Sequence, residues 1–357
     1  MKNLIKKIIY QIFFFSFLII ITEVIFGYWF KSDGFGSTIR NGRLKNQLYE
    51  VKYNGIKYEF RYKKNFYGFR GEEVDPEKIK IFFLGASQGN EKWKPENLTI
   101  VGRLNQYLKE DNLDSKKIYN ASQDGFSTFG ILNYLLKFYP KIKNYNPNKM
   151  ILHIGIADAL LCNDYVNNKK NVGQFESNLV WDQLEEQNQT KKIKDYIKNT
   201  SFFVGKIKTI QLKYFSHEKQ KVERLSHDEN LINKQKYINL FEAEKVHSIK
   251  KMEKKYFPCK KRFNNNLNDI LRFAKKNKIK ILLVNSINYK GLNDDWLYYT
   301  NLMISDFANK NSIQFVDISK ITNIDSNDFY DDQHTTPAGS EKIAKFIYPE
   351  VLKFLNK

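Results

Sequence analysis

The sequence predicts an α/β protein, a three-layer α/β/α fold around a central parallel sheet. Two observations carry that expectation. Beyond Lys78, short apolar runs alternate with longer stretches of helical period, the pattern of buried strands joined by crossover helices. Three of those runs break into turns or loops that hold Ser87, Gly125 and Ala157. In sheets of this kind ligands bind outside the carboxyl ends of the strands.

The elements follow in order. Lys80 to Leu84 reads as the first strand, and Leu98 to Lys109 as a helix with Ile100, Leu104 and Leu108 on one face. Lys117 to Ala121 is the second strand, Ser127 to Phe138 a helix ending before Pro140, and Met150 to Ile154 the third strand. Phe263 to Lys276 aligns Phe263, Leu267, Leu271 and Ala274 on a helix. Ile279 to Val284 is the fourth strand, Trp296 to Asn309 a helix, and Ile313 to Val316 the fifth strand. Pro337 occupies a first-turn position ahead of an amphipathic run from Ser340 to Leu355. Upstream, Leu48 to Tyr62 alternates apolar and polar residues around Asn54-Gly55, a type I′ hairpin signal. This hairpin is expected to cap the entrance to the main domain.

Ile8 to Phe30 is almost wholly apolar, roughly long enough to cross a ~30 Å hydrocarbon layer. Lys2, Lys6 and Lys7 precede it and favour a cytoplasmic N-terminus. No Ala-x-Ala site or lipobox cysteine follows, so the run reads as a retained signal anchor, with everything after it outside the cytoplasmic membrane. Glu23 is an expensive residue in such a segment unless it reaches the interface. Residues 1–30 are thus a transmembrane anchor, 31–77 a tether and hairpin, and 78–357 the α/β domain. That domain is interrupted at 163–262 by a Lys-, Glu-, Gln- and Asn-rich stretch, read as a helical insertion that should overhang the site. A lid or substrate-binding face and a plain solvated excursion are both open, since long insertions cost little.

Composition narrows the chemistry. The 357 residues are 42% hydrophobic, enough for a sizeable core, and carry a net charge of +20. The lysines are spread evenly, and zinc knuckles, recognition helices and RNP motifs are lacking, so nucleic acid is not an expected partner. With two cysteines, no CxxC and scattered histidines, no metal site is expected. Cys162 and Cys259 bracket the insertion; a bridge and two free thiols are both open.

The chemistry is concentrated near the C-terminus. Asp331 stands three residues before His334, and a histidine becomes a good general base when a carboxylate fixes its tautomer and stabilises its charged form. Asp332 is an alternative orienter. The nucleophile must come from elsewhere, and Ser87 is the best candidate, in the turn Gly85-Ala86-Ser87-Gln88-Gly89 that ends the first strand. That turn also fits G-x-S-x-G, the elbow of α/β-hydrolases. The layout argues against that reading: only a hairpin precedes Ser87, and acid and base share one turn.

These motifs together resemble the SGNH (GDSL-type) serine hydrolases, membrane-tethered bacterial members included. Gly85-Ala86-Ser87 matches the first block, with Ala86 in place of its Asp. Asn120-Ala121-Ser122-Gln123-Asp124-Gly125 matches the second, Gly155-Ile156-Ala157-Asp158 keeps the frame of the third, and Asp331 with His334 matches the fourth. Tyr67-Gly68-Phe69-Arg70-Gly71 looks like a segment that precedes the first block. The resemblance implies a flavodoxin-like sheet and a Ser87–His334–Asp331 triad with no cofactor. It also implies an oxyanion hole built on the Ser87 and Gly125 backbone N–H groups. The family's third donor is an Asn amide, and Ala157 has none. Another group such as Asn163 or a lid residue replaces it, or the enzyme is slow, or the protein binds without hydrolysis. Asp158 is expected to tie its loop by hydrogen bonds, and His153 to be a satisfied strand histidine. The implied activity is hydrolysis of an O-acyl ester, O-acetyl above all, on an envelope glycan or lipid. The alternatives are an O-acyltransferase on envelope polysaccharide and a silent glycan-binding scaffold.

Overall fold

The computed structural model describes residues 2–27, 29, 45–53, 55–65, 67–142, 144–166, 197, 201–210, 220–222 and 237–356. Its first half contains α1 (Lys2–Phe26), β1 (Lys45–Tyr53), β2 (Ile56–Lys64), β3 (Ile81–Gly85), α2 (Ser87–Asn90), α3 (Ile100–Glu110), β4 (Ile118–Asn120), α4 (Thr128–Asn133) and β5 (Lys149–His153). The second half contains α5 (Ile156–Val166), α6 (Phe202–Ile210), β6 (Gln220–Val222), α7 (Leu240–Val246), α8 (Ile249–Lys276), β7 (Lys280–Val284), α9 (Asp295–Lys310), β8 (Gln314–Val316) and α10 (Pro337–Asn356).

Five strands form one parallel sheet in the order β4-β3-β5-β7-β8. Every residue of β3 is buried, as an Ile-Phe-Phe-Leu run must be when it has no polar side to turn to water. The chain steps from β3 to one neighbour, then crosses back to β5 on the other side. With right-handed crossovers that reversal sends helices to opposite faces. Accordingly α3 packs with α10, while α4, α5 and α9 pack with α8. The reversal also opens a crevice beyond the carboxyl ends of β3 and β5, where a doubly wound sheet holds its ligand. The three-layer architecture expected from the alternating runs is the one observed.

Some boundaries differ from the expectation for physical reasons. Helix α8 begins at Ile249, inside the stretch assigned to the insertion, and runs through Pro258. A proline removes one helical hydrogen bond. Here Met252, Tyr256, Cys259, Phe263, Leu267, Ile270 and Ala274 form one buried stripe on both sides of it, and packing carries the helix past the break. Helix α5 was not expected, because Ile156 to Val166 is apolar on most sides and shows no helical period. The expected helix from Ser127 to Phe138 is α-helical only to Asn133 and continues as one π turn over Tyr134–Phe138.

The hairpin pairs Tyr53 with Ile56 across its turn, where Gly55 takes φ +82°. Its other edge pairs in parallel with β6, a strand within the insertion that the sequence did not announce. Tyr49, Val51, Tyr53 and Tyr62 form a second, small core together with Tyr330. Cys162 on α5 and Cys259 on α8 are bridged, with their Cα atoms 5.8 Å apart, which joins the two ends of the insertion. The tether at 31–44 and most of the insertion lie outside the described residues. Leu4–Phe26 is the one described helix long and apolar enough to cross a membrane, and none of it is buried in the protein.

Candidate active site

Ser87 stands at the first position of the short helix α2, immediately after β3. The sharp change from extended Ala86 to helical Ser87 lifts the side chain out of the sheet end. His334 reaches it from the loop before α10, with Nε2 2.7 Å from Ser87 Oγ. On the other side of the ring, Nδ1 lies 2.7 Å from Asp331 Oδ2 and 2.9 Å from Oδ1. The three residues expected from the motifs thus form one hydrogen-bonded chain. Asp332 does not join it; its carbonyl oxygen accepts the Tyr289 N–H at 3.4 Å.

The local sequence explains this geometry. Asp331 Oδ1 also accepts the backbone N–H groups of Gln333 and His334, at 2.8 and 2.7 Å. Tyr330 N–H donates to the His334 carbonyl at 2.9 Å, closing the loop. One carboxylate therefore builds the turn and orients the imidazole. Burial would raise the Asp331 pKa, but hydrogen bonds and the charge of His334, with the two N–H groups, hold it below the ordinary carboxylate value. Asp331 stays ionised at neutral pH, as an orienter must.

A buried polar clamp, silent in the sequence, holds this loop against α2. Lys94 Nζ is fully buried and ion-pairs with Glu91. It also donates to Thr335 Oγ1 at 2.8 Å and to Ser340 Oγ, on the far side of His334. Glu91 Oε2 accepts the Ile100 N–H at the start of α3, and Oε1 accepts from Ser340. Arg70, buried in the segment before the first block, donates to the Asn90, Glu91 and Lys94 carbonyls. Gln88 Nε2 bridges the Ile287 and Gln333 carbonyls at 2.7 and 2.6 Å. Charged residues in a loop read as surface, so Glu91 and Lys94 gave no signal; Arg70 was marked only by its Gly-Phe-Arg-Gly context.

The second block is pinned to the same helix. Gln123 N–H donates to the Gly85 carbonyl at 3.1 Å, Asn120 Nδ2 to the Gly89 carbonyl at 2.7 Å, and Asn90 Nδ2 to Asp124 Oδ1 at 2.7 Å. Gly125 comes next, with φ +77°, a conformation that side chains disfavour. Ala157 lies in the first turn of α5 rather than in a loop.

Asp158 accepts the Thr128 N–H at 3.0 and 3.1 Å and its hydroxyl at 2.6 Å, tying α5 to the start of α4 as expected. Burial pushes its pKa up from 3.8 to about 6, against the Thr128 bonds. A carboxyl whose folded pKa is raised makes the protein less stable as pH climbs from its unfolded to its folded value. We expect Asp158→Asn to flatten the stability curve between pH 3.8 and about 6, read by thermal melts across that window. An unchanged slope would remove Asp158 as its source. His153 departs from the expectation in one respect. It is buried in β5, but Nε2 has no hydrogen-bond partner, and burial lowers its pKa to about 4, so it is neutral at pH 7.

The hairpin reaches the site through aromatic rings. Tyr330 stacks on His334 with centroids 5.6 Å apart, and Tyr53 packs on Tyr330 at 5.5 Å. Fold and site together are those of a doubly wound α/β protein with a Ser–His–Asp chain at its topological switch point. The chain is similar to SGNH-type serine hydrolases in the order of its blocks and in the sheet that carries them. Similar solved structures include an acetyl xylan esterase, AlAXEase, 13% identical, covering 76% of this chain and 100% of that one, with a TM-score of 0.41. An acetyl xylan esterase from Geobacillus stearothermophilus is 11% identical over 77% of this chain and 96% of that one, with a TM-score of 0.43. A member of the lipolytic protein G-D-S-L family from Veillonella parvula is 10% identical over 77% and 98%, with a TM-score of 0.40. No family model and no curated protein matches the chain.

Proposed function

We propose that this protein is a membrane-anchored SGNH-type serine esterase that removes an O-acyl group, O-acetyl above all, from an envelope glycan or lipid. The observation that carries the reading is the Ser87–His334–Asp331 chain, with Oγ–Nε2 and Nδ1–Oδ2 distances both 2.7 Å. A serine hydroxyl is a poor nucleophile until a base takes its proton. His334 Nε2 takes that proton while Oγ bonds to the acyl carbon, and Asp331 stabilises the imidazolium. The carbonyl oxygen becomes an oxyanion facing the Ser87 and Gly125 N–H groups. Its collapse breaks the ester bond, and Nε2 returns the proton to the departing alcohol. Water, activated by the same nitrogen, then releases the acid from acyl-Ser87. A fluorophosphonate probe tests the reading directly: Ser87 should be labelled in the wild type and the label lost in Ser87→Ala. An unlabelled, folded wild-type protein would favour the silent glycan-binding alternative.

Ala157 bears on the rate. Losing one oxyanion donor costs about 2.7–4 kcal/mol, or ~10²–10³ in rate. On this reading Ala157→Asn raises kcat on a generic aryl ester and leaves KM nearly unchanged, because the amide meets charge that develops only in the transition state. A fall in rate would point to a substitute donor already in place.

The envelope setting is supported by two features. Lys2, Lys6 and Lys7 stand in the first two turns of α1, ahead of its apolar run, and the Cys162–Cys259 bridge suits an oxidising compartment. A reporter fused after Lys357 should behave as extracytoplasmic. Cytoplasmic activity of that fusion would withdraw the envelope substrate.

A further inference from the structure

Glu23 is the only acidic residue of α1 and stands in its apolar C-terminal part, three residues before its end at Phe26. An isolated carboxylate at that depth is costly unless partnered. Its partners come from 180 residues along the chain and from just past the helix. Oε1 accepts from Ser201 Oγ at 2.6 Å and the Phe203 N–H at 3.2 Å. Oε2 accepts the Phe202 N–H at 2.8 Å and the Trp29 indole N–H at 2.9 Å. Glu23 therefore satisfies orphan donors at the N-terminus of α6, the role usually held by a residue in the same segment. Phe26 and Phe202 pack beside it, with centroids 5.5 Å apart.

This contact fixes the level of α6. Its first turn is held between Glu23 and Phe26, the last turn of α1, about 4.5 Å of axis at 1.5 Å per residue. Trp29 lies at the same level, and tryptophans gather at the boundary between bilayer and water. On α6, Phe203, Ile207 and Ile210 follow the i, i+4, i+7 spacing of one stripe and are 37%, 64% and 48% exposed. Lys206 borders that stripe, with its ammonium 5.6 Å above the Phe202 ring, as a snorkelling lysine would.

We propose that α6 is an interfacial helix: Glu23 caps it so that the Phe203–Ile207–Ile210 stripe lies in the headgroup and acyl boundary of the bilayer. The proposal rests on the reading of α1 as a membrane span. It makes the insertion a second membrane contact, which ties the α/β domain to the lipid surface at a point far from α1 in sequence.

The test uses the full chain in vesicles of phosphatidylethanolamine and phosphatidylglycerol. The two native cysteines are bridged, so a spin label attaches only at an introduced one. Labels at Phe203→Cys, Ile207→Cys and Ile210→Cys should show an oxygen-to-nickel accessibility ratio several-fold above Gly205→Cys, on the opposite face of α6, where an added Cβ meets nothing within 4 Å. They should approach Ile12→Cys within α1, and Glu23→Ala should lower the ratio at Ile207→Cys several-fold. High nickel accessibility at all three stripe positions with Ile12→Cys in lipid overturns the proposal and leaves the span intact. Low access to both reagents also overturns it, with a second copy or another part of the chain covering the stripe. A ratio indifferent to Glu23→Ala overturns the capping role. Water at Ile12→Cys removes the spanning reading and this proposal with it.

Discussion

Ser87→Ala should abolish turnover of a small aryl acetate, and His334→Ala should come within a small factor of the same loss. The two act as one unit: without the base the hydroxyl keeps its proton, and without Oγ the base has nothing to activate. A fall of roughly 10⁴–10⁶ in kcat is the expected scale, with the residue left by oxyanion donors and binding alone. Asp331→Asn should cost roughly 10⁴ by favouring the wrong tautomer of His334. It should also loosen the turn, since Asp331 Oδ1 accepts two backbone N–H groups there. Comparison of kcat for the single and double variants checks the unit. Activity retained by folded Ser87→Ala above ~1% of wild type would sink the triad, because such triads act through the serine.

The second large effect is on stability. Lys94→Met should destabilise the protein by about 3–5 kcal/mol, because it leaves the Glu91 carboxylate buried without its counter-ion. The side chains of the pair are 0% and 2% exposed, so solvent cannot replace the lost ammonium. Adding Glu91→Gln should recover much of that loss, since the neutral amide keeps one oxygen to accept the Ile100 N–H and can donate its NH2 to Ser340 Oγ. The single and double variants should both be slow on an ester, because the Lys94 bond to Thr335, beside His334, is missing in each. Urea melts of the three variants, paired with ester kinetics, read the two effects separately. A single variant within ~1 kcal/mol of wild type would mean that the pair contributes no more than an exposed salt bridge.

The sheet was legible because its central strands are buried on both faces. Ile81, Phe82, Phe83 and Leu84 match an interior strand, and the small residues after it mark the change of direction at its carboxyl end. Asp331 and His334 were legible for a related reason. A contact between residues three apart is local, and the turn that makes it is written in adjacent positions. Ser87 was legible by its place after a strand and by the order of the motif blocks, although 247 residues separate it from His334.

What the tertiary structure decided was every contact that depends on distant residues meeting. Sequence left the cysteines open, and the packing of α5 on α8 brought Cys162 and Cys259 together. Lys94 and Glu91 look like solvated charges until α10 closes over them with Ser340, because burial is a property of the assembled layers and not of the residue type. Pro258 reads as a break until the apolar stripe on both sides of it finds a surface to cover. Glu23 reads as a defect in an apolar helix until the N-terminus of α6 arrives to use it. Local patterns determined the strands, the turns and the Asp331–His334 contact, since these are set by neighbours in the chain. Pairing across the fold determined the clamp, the bridge and the cap, since a buried polar group is stable only where a partner from elsewhere satisfies it.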